Sequence, residues 1–130
     1  MKLSIVLHGS AFNAQANQSA FRFAKAALEA GHTLHRVFFY GDAVLLASNL
    51  NAPQRDEFNP RDQWSALAEQ YDLDLVICIA AALKRGVLNE AEAKRHEKAF
   101  ANITAPFSVS GLGQLTDAFI ESDRVVTFGE

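Results

Sequence analysis

The sequence predicts an α/β fold: one domain built as a three-layer sandwich, with a mostly parallel sheet of about five strands and helices on both faces. Short apolar runs of strand length alternate along the chain with segments of helical periodicity. The inner runs are apolar on both faces, which is typical of parallel strands covered by helices on each side. No repeat or change of composition divides the chain, so we expect one domain over residues 1–130.

The first half of the chain carries two predicted strands and two predicted helices. Residues 3–7 form an apolar run that ends at the turn-forming His8-Gly9-Ser10. Helical spacing follows in the apolar residues Ala20, Phe23, Ala24, Ala27 and Leu28, and Gly31 ends this helix. Residues 33–40 are the second strand, and residues 42–50 are predicted to form a short helix.

A polar loop over residues 51–60 leads into the second half of the chain. Asn59 followed by Pro60 predicts a helix start, and the helix carries the apolar stripe Trp64, Leu67, Ala68 and Tyr71. Trp64 is expected to pack in the core. The third strand ends at Cys78, and a short helix is predicted to begin at Ala80 or Ala81.

The last third of the chain alternates in the same way. Asn89 with Glu92 three residues later predicts a capped, charged helix that runs to about Lys98 with its charges in solvent. Residues 106–109 are a short extended piece. Ser110 is expected to cap a helix that carries Leu112, Leu115 and Phe119, and residues 124–128 form a final strand.

Composition excludes several classes of protein. Apolar residues make up 49% and charged residues 21%, which is a globular balance. The net charge of -3 provides no basic footprint, so we expect no direct binding of nucleic acid. No apolar run is long enough for a membrane span or a signal peptide, and the single cysteine cannot form an internal disulfide. We therefore expect a cytoplasmic protein with no membrane association.

Cys78 is the candidate reactive residue. It ends an apolar strand immediately before a basic segment that contains Lys84 and Arg85. Ligands of open parallel sheets gather beyond the carboxyl ends of the strands, and a helix start with nearby cations favours a thiolate, which is the nucleophilic form. A free cysteine is also a common small core residue, so the local sequence leaves a purely structural role open.

Other polar groups offer weaker candidates. His8 ends the first strand and would share a crevice with Cys78 if the two strands were neighbours; a structural histidine is the alternative. Gly111-Leu112-Gly113 could cradle a phosphate, but tight turning fits it better because the third glycine of a dinucleotide fingerprint is missing. No pair of histidines has metal-binding spacing, and no cofactor is expected. A flavodoxin-like module that binds a small ligand without covalent chemistry stays open as an alternative.

The segment from Cys78 to Val87, CIAAALKRGV, resembles the active-cysteine segment of the DsrE/TusD sulfurtransferase family. The resemblance covers essentially the whole chain, since four further segments occur in the same order: Val37-Phe38-Phe39-Tyr40, Asp56-Glu57-Phe58, Ser110-Gly111-Leu112-Gly113 and Asp123-Arg124-Val125-Val126. The family pattern often has two arginines after the leucine. Lys84 stands in place of the first, which keeps the charge but loses a planar donor fork.

The resemblance implies a DsrE-like fold and a sulfur relay in which Cys78 is catalytic. Cys78 would accept sulfur as a persulfide from a TusA-like donor and pass it to a TusE-like acceptor, for 2-thiolation of the tRNA wobble uridine. It also implies TusB-like and TusC-like subunits in a heterohexamer, arranged as a dimer of heterotrimers. DsrE-like subunits of dissimilatory sulfur oxidation use similar chemistry, and this sequence alone separates the two pathways poorly.

Overall fold

The computed structural model describes residues 1–13 and 15–129, and its centre is one parallel sheet. The five strands lie in the order β4-β3-β2-β1-β5, and every pair of neighbours is parallel. Their bounds are β1 Lys2–Leu7, β2 Thr33–Phe39, β3 Leu75–Cys78, β4 Phe107–Ser110 and β5 Arg124–Phe128. The predicted α/β architecture is therefore confirmed.

Five α-helices and one 3-10 helix connect the strands. The α-helices are α1 Ala16–Glu29, α2 Pro60–Tyr71, α3 Ile79–Lys84, α4 Glu90–Arg95 and α5 Gly113–Glu121. The predicted short helix after β2 is a 3-10 helix over Gly41–Ala47. The predicted short helix after Cys78 begins at Ile79, before the expected Ala80 or Ala81.

Helices cover both faces of the sheet, which gives the three predicted layers. Phe39 of β2 contacts Trp64 of α2, whereas Arg36 of β2 contacts Asp117 of α5. Residues 36 and 39 point to opposite faces because strand side chains alternate. The α2 side and the α5 side are therefore opposite faces of the sheet, and α1 packs with α2.

The hydrophobic core is densest around β2, the central strand. Phe38 and Phe39 are completely buried, one on each face. Trp64, also completely buried, packs edge-on against Phe39 and Phe21 with ring centroids 5.6 and 5.2 Å away. Its indole Nε1 donates to Asn17 Oδ1 over 2.8 Å, which confirms the expected core position of Trp64.

Helix caps follow the sequence in two cases and depart from it in a third. The side chain of Asn59 accepts from the backbone N–H of Arg61, and that of Asn89 accepts from Glu92. Ser110 is no cap: it is the last residue of β4, paired with Cys78, and α5 begins at Gly113. The ladder to β3 extends β4 one residue beyond the predicted extended piece.

Helix α4 is shorter and less solvated than expected. It ends at Arg95 because Glu97 adopts a left-handed backbone with φ 56°, and the N–H of Lys98 bonds the carbonyl of Ala93 over 2.8 Å. This is the Schellman closure of a helix. The expectation that all its charges face solvent is wrong for Glu92, which is buried and lies near the side chains of Arg95 and His96.

Among the described residues, no helix has the length and apolar character that crossing a membrane requires.

Candidate functional site

Cys78 ends β3, and its side chain leaves the sheet on the α5 side. Val76 pairs with Phe38 across the β3–β2 ladder, so both side chains point to one face. Cys78 and Tyr40 each lie two residues further along their chains and share that face. Tyr40 stacks on Phe38 with ring centroids 6.4 Å apart, which places its ring beside the carboxyl end of β3.

An open pocket of about 200 Å³ lies at this carboxyl edge of the sheet. Its lining combines the end of β2, the end of β3, helix α3 and the residue before α5: Tyr40, Gly41, Cys78, Ala80, Ala81, Lys84, Arg85 and Leu112. Cys78 is 2% exposed, so the residue borders the pocket but is almost completely buried by the residues around it. The position agrees with the rule that sites of open parallel sheets lie beyond the strand ends.

Helix α3 begins directly after the cysteine, which acts as its N-terminal flanking residue. The Cys78 side chain makes no capping hydrogen bond to the helix backbone. The sulfur therefore does not cap this helix.

The two predicted cations both line the pocket, but they differ in their partners. Arg85 Nε donates to Asp42 Oδ1 over 2.8 Å, and Arg85 Nη1 donates to the carbonyl of Ala81 over 3.0 Å. Lys84 is exposed and forms no ion pair within residues 1–13 and 15–129. Lys84 is therefore the cation whose charge is uncompensated at the pocket.

His8 does not line the pocket. The expectation that it shares a crevice with Cys78 required β1 and β3 to be neighbours, and this premise is wrong because β2 lies between them. The His8 backbone N–H bonds the carbonyl of Phe128 over 2.9 Å, and its ring meets the edge of Tyr40 at a centroid distance of 5.3 Å. His8 supports the outer side of Tyr40 rather than the sulfur.

Two side chains at or beside the pocket, those of Tyr40 and Asp42, were not anticipated as site residues, and Leu112 was considered only within the turn Gly111-Leu112-Gly113. Tyr40 and Asp42 follow β2, and Leu112 precedes α5. Their positions depend on β2 lying beside β3 and on α5 crossing back over the sheet. One sequence signal could have indicated Tyr40: it lies two residues beyond the core residue Phe38, at the end of a predicted strand. This signal becomes informative only once that strand is known to pair with the strand that ends at Cys78.

In the described part of the chain, no group of three or more histidine, cysteine, aspartate or glutamate side chains could hold a metal ion. The pocket brings together the Cys78 sulfur, the Tyr40 ring, the cations of Lys84 and Arg85, and small or apolar residues.

Comparison with known proteins assigns the chain to a family. The profile of the DsrE/DsrF-like family matches residues 1–128. The chain belongs to this family. Its curated relatives include a DsrE of Allochromatium vinosum, 47% identical over 130 residues and covering 100% of both chains. A sulfurtransferase TusD homolog of Vibrio cholerae is 45% identical over 125 residues, covering 96% of this chain and 95% of the relative.

A solved structure with the same fold is consistent with this family assignment. The crystal structure of the ychN protein from E. coli superposes with a TM-score of 0.79, covering 98% of this chain and 99% of that one, at 20% identity. This likeness concerns the DsrE-like architecture alone. The curated DsrE/DsrF-like relatives named sulfurtransferase support a sulfurtransferase activity for this chain.

Proposed function

We propose that this DsrE/DsrF-like protein is a sulfur-relay subunit in which Cys78 carries the transferred sulfur as a persulfide. The observation that carries the proposal is the position of the chain's one sulfhydryl at the edge of an open pocket beyond the strand ends. Sites of open parallel sheets lie beyond the strand ends, and a thiolate in such a position can act as a nucleophile.

The chemistry consists of two thiol exchanges. The Cys78 thiolate attacks the outer sulfur of a donor persulfide, a new S–S bond forms at Cys78, the donor's S–S bond breaks, and the donor leaves as a thiolate. An acceptor thiolate then attacks the outer sulfur of the Cys78 persulfide, takes that sulfur, and releases the Cys78 thiolate. One sulfur atom moves in each step, and no external oxidant or reductant enters.

Lys84 is the side chain best suited to stabilise the anionic forms of this cycle. It lines the pocket with Cys78 and has no carboxylate partner in the described residues. A cation near a thiolate or persulfide anion lowers its energy by Coulomb attraction, most effectively where the sulfur is largely removed from water.

The specific pathway we propose is 2-thiolation of the tRNA wobble uridine in the cytoplasm. A TusA-like protein would donate the sulfur, a TusE-like protein would accept it, and TusB-like and TusC-like subunits would complete a heterohexamer. The net charge of -3 is consistent with protein-to-protein transfer, because a direct tRNA-binding surface would be basic.

A second pathway is supported by one observation. The DsrE of Allochromatium vinosum is as similar to this chain, at 47% identity, as the TusD homolog of Vibrio cholerae at 45%. A role in dissimilatory sulfur oxidation would use the same persulfide chemistry with different donors and acceptors. Parallel incubation with a TusE-like acceptor and with a thiol acceptor of dissimilatory sulfur oxidation separates the two roles by which acceptor removes the sulfur.

The test of sulfur carriage is direct. Reduced protein is incubated with a persulfidated TusA-like donor, and the intact mass and the Cys78 peptide are measured by mass spectrometry. We expect one added sulfur atom, located on Cys78, and its loss when the acceptor thiol is added.

The control is Cys78→Ser, which differs by one atom and leaves no thiol in the chain. A wild-type protein that gains no more sulfur than Cys78→Ser would contradict the proposal. Thermal stabilisation by nucleotides or flavins in that case would favour the flavodoxin-like alternative, since a ligand that binds the folded state raises its melting temperature.

A further inference from the structure

One ion pair joins two walls of the sulfur pocket. Arg85 lies at the end of α3, and Asp42 lies in the 3-10 helix just after the pocket residues Tyr40 and Gly41. The Arg85 guanidinium is held at both ends, by Asp42 Oδ1 at 2.8 Å and by the Ala81 carbonyl at 3.0 Å. The pair therefore fixes α3 to the segment that carries the Tyr40 ring.

Access to the sulfur requires one of these walls to move. Cys78 is 2% exposed, whereas a sulfur exchange needs the incoming sulfur in contact with Sγ and in line with the bond that breaks. Strand β3 cannot move readily, because β2 and β4 both pair with it. Helix α3 is the wall better able to move, because Ala80 and Lys84 are exposed, whereas four of the seven residues of the 3-10 helix are completely buried.

We propose that Asp42 and Arg85 are positioning residues that act as a latch on the sulfur pocket, so that opening their ion pair exposes Cys78 to its reaction partners. The inference depends on the proposed function only in taking Cys78 as the reacting residue. Arg85 thereby has a different role from Lys84: Arg85 holds a wall in place, and Lys84 supplies the charge.

The latch has a modest strength, which suits a group that must open in each cycle. The side chains of Arg85 and Asp42 are 30% and 57% exposed. Ion pairs this accessible to water shift a two-state equilibrium by a factor of roughly two to five, and added salt weakens them. Loss of the ion pair should therefore raise the fraction of molecules in which the pocket is open by about that factor.

The experiment measures how fast iodoacetamide, a small neutral reagent, alkylates Cys78 at high pH, where the thiol is ionised and the limiting rate reports access. Asp42→Asn and Arg85→Gln should each raise the limiting rate about two- to fivefold. The double variant should be no faster than either single variant, because one interaction is lost in all three. Arg85→Lys should lie between wild type and Arg85→Gln.

Salt provides a second readout. Raising the salt concentration should accelerate alkylation of the wild type and leave Asp42→Asn unchanged, because that variant has no pair to screen. Glu121→Gln is the matched control: it removes the exposed Lys2–Glu121 pair, whose atoms are 3.7 Å apart and which does not line the pocket. Its limiting rate should equal that of the wild type.

Unchanged limiting rates in Asp42→Asn and Arg85→Gln would overturn the latch. A shift of the pH profile with the same limiting rate would also overturn it, because that result assigns to the pair an effect on charge alone. Thermal melts of each variant exclude global unfolding as the route to the thiol. Failure of persulfide loading with a faster limiting rate would sink the proposed function and leave the latch intact.

Discussion

Asn17 and Trp64 form the most enclosed side-chain hydrogen bond in the described structure. Asn17 lies in the first turn of α1 and is 1% exposed, and its Oδ1 accepts from the indole N–H of Trp64 over 2.8 Å. An indole N–H buried without an acceptor carries the full cost of leaving water. This pair therefore fixes how α1 and α2 pack, with a polar contact inside an apolar layer.

Replacing Asn17 with alanine should destabilise the protein by about 1–3 kcal/mol, because the Trp64 N–H is then buried without a partner. Urea unfolding measures the loss. Gln70→Ala, an exposed change on α2, is the control and should stay within about 0.5 kcal/mol of wild type. Equal stabilities of Asn17→Ala and Gln70→Ala would show that the bond contributes nothing.

At the residue scale, the sequence located the sulfur and both cations of the pocket but not the residues around them. Cys78 stands out because an apolar run stops there, and Lys84 and Arg85 are close to it in the chain. Tyr40 and Leu112 reach the pocket, and Asp42 reaches Arg85, through strand pairing and a crossover that no local pattern encodes. That Cys78 carries sulfur stays a prediction until persulfide loading is measured.

At the scale of elements, a charged cluster joins three of them on the α5 face. Arg36 of β2 donates to Asp74, just before β3, at 2.8 Å, and to Asp117 of α5 at 2.7 Å. Burial lowers the pKa of Arg36. Its hydrogen bonds to the two carboxylates, together with their charges, raise the pKa by a larger total amount, so the pKa lies above its usual value. The cluster holds α5, and with it the Leu112 side of the pocket, against the sheet.

The same contacts make one part of stability dependent on pH. Hydrogen bonds from Arg36, and then from His35, hold the pKa of Asp117 below its ordinary value of 3.8. Folding thus favours the ionised carboxylate. Its contribution is fully present above the pKa of the unfolded chain, and it is lost as pH falls through the lower pKa of the folded chain.

We therefore expect Asp117→Asn to be less stable than wild type near neutral pH. The difference in the free energy of unfolding should decrease as pH falls from about 6 towards about 2. Urea unfolding at several pH values measures this difference. Glu69→Gln, an exposed change on α2, should show no such narrowing. A gap for Asp117→Asn that is the same at every pH would refute the role assigned to this carboxylate.

Elements with strong periodicity or a clear cap were predictable, and those fixed by tertiary contacts were not. Asn59-Pro60 begins α2 as expected, because the cap is a local interaction. Ser110 failed as a cap because it pairs with Cys78 in the sheet. The end of α4 was missed because Glu97, rather than a glycine, adopts the left-handed conformation that closes the helix.

On the scale of the whole molecule, the sheet is the scaffold on which most of the helices pack. Helices α1, α3 and α5 pack on its strands, and Trp64 of α2 contacts Phe39 of β2. No strand lies outside this sheet of five in residues 1–13 and 15–129. The fold class followed from the alternation of apolar runs and helical segments. The strand order required the structure, because several orders are compatible with the same alternation.

A single sheet of this size should unfold in one step. Urea unfolding followed by Trp64 fluorescence, which reports on the α2 side, and by far-UV circular dichroism, which reports on all elements, should give coincident curves. Size-exclusion chromatography of the same samples controls for association. Separate transitions for the two probes would indicate two units that unfold independently.

The only tryptophan and the only cysteine of the chain lie on opposite faces of the sheet, with Trp64 on the α2 side and Cys78 facing α5. The molecule thus carries a natural fluorescence donor and one unique attachment point for an acceptor dye. Energy transfer between them provides an internal ruler across the sheet that requires no substitution in the chain.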